Sequence, residues 1–127
     1  MKILITGGHL TPALALIDYT QKIRSDISFV FVGRRYAQEQ ERVLAREQEA
    51  CLSRNIPFYS ITAGKVHRSV PYRNIFEISK IFSSLHQANQ VLRKEQPDLI
   101  LSFGGYLAVP IAIMARLKNI PIITHEQ

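Results

Sequence analysis

Lys2-Ile3-Leu4-Ile5-Thr6-Gly7-Gly8-His9-Leu10-Thr11-Pro12-Ala13-Leu14-Ala15-Leu16-Ile17 begins as a short apolar run, breaks at paired glycines and resumes with helical spacing. The glycines let the backbone turn sharply and approach a neighbouring group closely. Thr11 is placed to cap a helix starting near Pro12, because proline suits a first helical position. Ala13, Leu16, Ile17 and Thr20 then share one helical face and are expected against a sheet. A strand, a tight corner and a helix make the first half of a βαβ unit.

The same grammar repeats along the chain. Phe29-Val30-Phe31-Val32, Phe58-Tyr59-Ser60-Ile61, Leu99-Ile100-Leu101 and Ile120 to Thr124 are short apolar runs separated by helix-length stretches. Such continuous runs read as buried parallel strands. A second helix is expected over Ala37 to Arg54, its interleaved Glu39, Glu41, Arg42, Arg46, Glu47 and Glu49 forming a solvated face. A third spans Asn74 to Glu95, with Ile75, Ile78, Phe82, Leu85 and Leu92 as its core stripe, and Gln96-Pro97-Asp98 ends it. A fourth, Leu107 to Leu117, is apolar almost all round and is expected to be well buried, with Asn119 and Pro121 marking its exit. Ala63 to Arg73 is the longest connecting loop. The expected architecture is α/β: one three-layer, doubly wound parallel sheet of Rossmann-like type over residues 1–127, strand order 3-2-1-4-5, with a topological switch between strands one and four.

Two paired-glycine corners, Thr6-Gly7-Gly8-His9 and Phe103-Gly104-Gly105-Tyr106, follow those two adjacent strands and line one crevice, at the carboxyl edge where open α/β sheets bind ligands. Each corner also meets the needs of an ordinary strand-to-helix turn, so convergence is what gives the pair weight. The first is not a dinucleotide fingerprint, since no glycine occurs between Gly8 and Gly33, and not a P-loop, since no Gly-Lys-Ser/Thr follows. Response-regulator chemistry needs acids at the ends of the early strands, where Thr6 and Gly7 stand instead. His9 is a candidate general base, because an imidazole takes a proton from a hydroxyl near neutral pH. His67, His86 and His125 show no zinc-type spacing, so no metal site is expected.

The 127 residues, 46% hydrophobic and 20% charged, suffice for one domain with a core. One cysteine, Cys51, precludes an internal disulfide. The amino-terminal apolar run is too short for a signal peptide, and no window approaches the ~18 apolar residues of a membrane span. A soluble, cytoplasmic protein is the expectation. Sixteen basic against ten acidic residues give +6, which fits an acidic partner or an anionic membrane surface. No dense basic block or aromatic-basic alternation points to nucleic acid, so no nucleic-acid partner is expected.

Gly7-Gly8-His9-Leu10-Thr11-Pro12-Ala13-Leu14-Ala15, Gly104-Gly105-Tyr106 and the terminal His125-Glu126-Gln127 together resemble, in order and spacing, the N-terminal, acceptor-side domain of the MurG-like branch of glycosyltransferase family 28, of the GT-B fold. The resemblance implies inverting transfer of N-acetylglucosamine from UDP-N-acetylglucosamine to a lipid-linked sugar in envelope biosynthesis, without a cofactor. It further implies that His9 is the base, and that Thr6, Gly7, Gly8, Gly104, Gly105, Tyr106, Glu126 and Gln127 form the acceptor cleft. The UDP-sugar donor is then held by a second, C-terminal domain absent from these 127 residues. The chain is accordingly expected to be a truncated N-terminal half, or one subunit of a split enzyme, inactive alone. One departure is that Ile5-Thr6 leads straight into Gly7, where the family carries a further Gly-Gly-Thr.

Lys65, Arg68, Arg73 and Lys80, with Phe76 off the helical stripe, combine positive charge and apolar surface, as peripheral attachment to anionic lipid requires. That reading places the protein on the inner face of the cell membrane. Two other readings remain open at this point: a noncatalytic membrane-docking subunit of a split glycosyltransferase, and the N-terminal half of a sugar-nucleotide epimerase.

Overall fold

The structure, a computed structural model, describes residues 1–33, 36–38, 43–44, 46–62 and 75–125; the side chains of 36–38, 43–44, 75–78 and 80 are outside that set. Its elements are β1 (Lys2–Thr6), α1 (Leu10–Ile23), β2 (Ser28–Gly33), β3 (Tyr36–Gln38), β4 (Val43–Leu44), α2 (Arg46–Leu52), β5 (Phe58–Ser60), α3 (Ile75–Glu95), β6 (Leu99–Ser102), α4 (Ala108–Leu117) and β7 (Ile122–Thr124).

Five strands form one sheet in the order β5-β2-β1-β6-β7, every neighbour parallel. Counted along that sheet, this is the expected 3-2-1-4-5 order, and its switch falls between β1 and β6. Successive side chains of a strand point to opposite faces, and the core divides accordingly. Leu4, Val30, Val32 and Ile100 pack with Ala88, Val91 and Leu92 of α3 and Ile111 and Ala115 of α4. Ile3, Ile5, Phe29 and Phe31 pack on the other face with Ala13 and Ile17 of α1 and Cys51 of α2. A sheet between two helical layers is the three-layer arrangement. Leu4, Ile5 and Phe31 at its centre are fully buried, each contributing about 1.5–3 kcal/mol by leaving water. Burial also pushes the Cys51 thiol up to about 11, which keeps it protonated and inert.

The structure corrects several local expectations. The first helix starts at Leu10, with His9 as its extended N-cap residue and no side-chain cap; Thr11 lies inside it and caps nothing. Pro12 is therefore the third helical residue, as Pro110 is in α4. Both are tolerated because the first turn's N–H groups have no partner in the helix.

Of the helix expected over Ala37 to Arg54, the described residues form α2, while Tyr36–Gln38 and Val43–Leu44 pair as the antiparallel ribbon of β3 and β4; Glu39, Glu41 and Arg42 lie outside the described residues. Interleaved charges contribute only a few tenths of a kcal/mol per pair, too little to fix a helix by themselves. Cys51 is the only buried residue of α2 among those described. Its exit is a Schellman turn: Asn55 takes φ 54°, and the Ile56 N–H reaches back to the Cys51 carbonyl. Asn119 at φ 56° and the Ile120 to Ala115 bond end α4 in the same way.

Phe82, expected on the core stripe of the third helix, is 68% exposed. At ~100° per residue it lies ~160° around α3 from the buried Ser84. The buried face is Ser84, Ala88, Val91 and Leu92, of which Ala88, Val91 and Leu92 pack in the core with Ile111 and Ala115 of α4. Nor is α4 buried all round. Pro110, Ile111 and Ala115 face inward, while Val109, Ile113 and Leu117, at steps of four, are exposed.

Candidate active site at the carboxyl edge of the sheet

Thr6 and Ser102 are register partners at the ends of β1 and β6, so the two glycine corners leave the sheet side by side. The Gly7 N–H donates to the Val32 carbonyl at 2.7 Å and anchors the first corner to β2. A Cβ on Gly8 would sit 2.3 Å from the Phe103 carbonyl oxygen and 2.6 Å from that of Gly104. Only glycine permits so close an approach. One on Gly105 would lie 3.3 Å from the Gly7 oxygen. Gly104 and Gly105 both take a left-handed φ, +78° and +83°, and at Gly104 a Cβ would meet nothing within 4 Å. Gly104 is the position where open space meets backbone.

The His9 ring is tied across this junction, its Nδ1 lying 3.2 Å from the Phe103 carbonyl oxygen. Phe103 also reaches the third signature, its ring standing edge-on to His125 with centroids 5.9 Å apart. The His125 N–H donates to the Ser102 carbonyl at 2.8 Å, which holds that end of the chain to β6. Ser102 turns its hydroxyl back to accept the Gly104 N–H at 3.3 Å. Thr6 is wholly buried, and its Oγ1 has no hydrogen-bond partner. Neither α1 nor α4 has a side-chain cap or an acid in its first turn, so their amino-terminal N–H groups keep a partial positive charge at this edge.

Of the residues singled out from sequence, Thr6, Gly7, Gly8, His9, Gly104 and Gly105 are thus brought together, and Tyr106 stands 37% exposed in the second corner. Glu126 and Gln127 lie outside the described residues. So do Lys65, Arg68 and Arg73, and the side chains of Phe76 and Lys80, whose backbone belongs to α3. Just beyond them Ile81 and Phe82 are exposed. Phe103 is the hub that sequence reasoning passed over as a site residue; an aromatic immediately before a glycine pair was its only signal. Two shallow depressions, one at Lys2, Ser28 and Pro57 and one at Arg93, Pro97 and Lys118, lie at the opposite, amino edge. Ligands of open α/β sheets bind outside the carboxyl ends, which makes the corners the candidate site. Among the described residues no three His, Cys, Asp or Glu side chains cluster as metal ligands, and no helix is long and apolar enough to cross a membrane.

A parallel 3-2-1-4-5 sheet with paired-glycine corners either side of its switch point is a Rossmann-like lobe. The chain belongs to glycosyltransferase family 28, whose N-terminal domain matches residues 6–127. It is 36% identical, over 98% of its length, to UDP-N-acetylglucosamine--N-acetylmuramyl-(pentapeptide) pyrophosphoryl-undecaprenol N-acetylglucosamine transferase of Clostridium perfringens (strain SM101 / Type A), covering 33% of that protein. The transferase of the same name from Clostridium botulinum (strain Alaska E43 / Type E3) is 33% identical over the same shares. Among solved structures, Acinetobacter baumannii MurG superposes with a TM-score of 0.74 at 26% identity, over 98% of this chain and 34% of that one. UDP-GlcNAc 2-epimerase from Neisseria meningitidis, at 19% identity over 98% of this chain and 32% of its own, shares the fold with a TM-score of 0.58. The chain spans about a third of the length of the relatives it matches.

Proposed function

We propose that this chain is the acceptor-binding lobe of an inverting N-acetylglucosaminyltransferase, working with a second lobe that holds UDP-N-acetylglucosamine. The observation that carries the reading is the His9 to Phe103 bond, which ties a histidine to the junction of both glycine corners in a member of family 28. In the reaction, His9 removes the proton of the acceptor hydroxyl as that oxygen bonds to the anomeric carbon. The bond from that carbon to the diphosphate breaks, and UDP leaves with the electron pair. The uncapped helix starts and the open backbone at Gly104 suit the charged or polar end of a lipid-linked sugar. A GT-B reaction depends on closing two lobes around both substrates, so this lobe alone does not turn over.

The test is kinetic, in a polypeptide that pairs this lobe with a donor lobe. His9→Ala is expected to lower kcat by ~10²–10⁴ while the KM for UDP-N-acetylglucosamine stays within about twofold. Unchanged turnover removes His9 from the chemistry. Reading the coding region beyond Gln127 tests the domain assignment: continuation into a second α/β domain supports a two-lobe enzyme, and a stop codon supports a split subunit.

Peripheral attachment to the inner face of the cell membrane is part of the proposal. It rests on the exposed Ile81 and Phe82 next to the basic run of Lys65, Arg68, Arg73 and Lys80. Co-sedimentation with vesicles is expected to rise with anionic lipid and fall with salt. Binding indifferent to both rules the attachment out.

A further inference from the structure

We infer that the Phe103 carbonyl is a positioning element that holds His9 as its Nδ1–H tautomer, leaving Nε2 as the atom that takes the proton. A backbone carbonyl can only accept a hydrogen bond, so the 3.2 Å contact requires the hydrogen on Nδ1. A neutral ring protonated there carries its lone pair on Nε2. Among the described residues this carbonyl is the hydrogen-bond partner of the ring, and no carboxylate shares the task. An uncharged backbone group thus does the orienting that an aspartate does in a serine-hydrolase triad.

The carbonyl is aimed by the two glycines around it. Gly8 allows the first corner to close onto it, since a Cβ there would stand 2.3 Å from the same oxygen that holds the ring. Gly104, at φ +78°, turns the chain immediately after it. Gly8 and Gly104 are therefore positioning residues acting through Phe103 on His9, and a ligand that displaces the second corner also displaces the base. The inference deepens the proposed role of His9 and rests on it.

The experiment is long-range ¹H–¹⁵N correlation spectroscopy of the histidine rings in the ¹⁵N-labelled 127-residue chain, at a pH where the rings are neutral. His9 is assigned by the signals lost in His9→Gln. An unrestrained imidazole favours the Nε2–H form, so a pyrrole-like Nδ1 with a pyridine-like Nε2 is the distinctive expected result. A dominant Nε2–H form overturns the inference. In Gly8→Ala the tautomer ratio is expected to move severalfold toward Nε2–H; if that variant does not fold, Gly104→Ala, where a Cβ meets no neighbour, carries the same expectation. A ratio unchanged in the folded variant removes the glycines from the positioning role. The two readings fail separately: His9→Ala kinetics can refute the base while the tautomer stands, and the spectra can refute the tautomer while the base stands.

Discussion

Alanine at Gly8 should destabilise this domain more than alanine at Gly7 or Gly104. Its methyl would lie 2.3 and 2.6 Å from two carbonyl oxygens, where ordinary contact begins at 3.4 Å. Both belong to the backbone of the facing corner, so no rotamer change relieves the overlap and the corners must separate by about 1 Å. Overpacking of this kind costs about 1–3 kcal/mol, and loss of the His9 bond adds about 1 kcal/mol. The stiffer unfolded chain offsets about 0.4–1 kcal/mol, leaving a net loss of about 1–4 kcal/mol. At Gly104 the space is open and only the left-handed φ of +78° is penalised, so about 1–2 kcal/mol is lost before the same offset. Gly7 has contacts of 3.4–3.5 Å and no positive φ, so Gly7→Ala should stay within about 0.5 kcal/mol of the parent. Urea unfolding followed by far-UV circular dichroism, at constant slope, measures the three. Gly8→Ala as stable as Gly7→Ala, or less damaging than Gly104→Ala, refutes the close approach of the corners.

Ile111→Ala, at a fully buried position of α4, should cost about 2–5 kcal/mol in the same assay, whereas Val109→Lys, Ile113→Lys and Leu117→Lys, on its exposed stripe, should each change stability by about 0.5 kcal/mol or less. The Tyr59 hydroxyl and the Lys2 ammonium both bond Glu95 and hold its carboxyl below the usual range. A depressed folded-state value stabilises above the unfolded value of about 4.3 and is lost as pH falls through the folded one; unfolding midpoints measured downward from pH 6 should drop less steeply in Tyr59→Phe and Glu95→Gln than in the parent. Asp18 and Arg54 pair through two bonds at 2.8 and 2.9 Å on a partly exposed surface, and a double-mutant cycle should return a small coupling that shrinks further in high salt.

The alternation of apolar runs with helical stretches determined the fold class by itself, and the connection rules of doubly wound sheets supplied the strand order. Buried parallel strands and the helices between them leave patterns of period and punctuation that lie within a few residues of one another. Both glycine corners and the histidine beside them were legible for the same reason. Where the local pattern was ambiguous, tertiary contact decided: Tyr36–Gln38 pairs with Val43–Leu44 instead of starting a helix, and α3 turns Ala88, Val91 and Leu92 into the core and leaves Phe82 outside. Only the folded chain revealed that Gly8 serves a backbone contact with the other corner, and that Phe103 joins His9 to His125. His9 and Phe103 are 94 residues apart in sequence. Their bond exists because β1 and β6 are neighbours in register, and such a neighbour relation belongs to the sheet rather than to either segment.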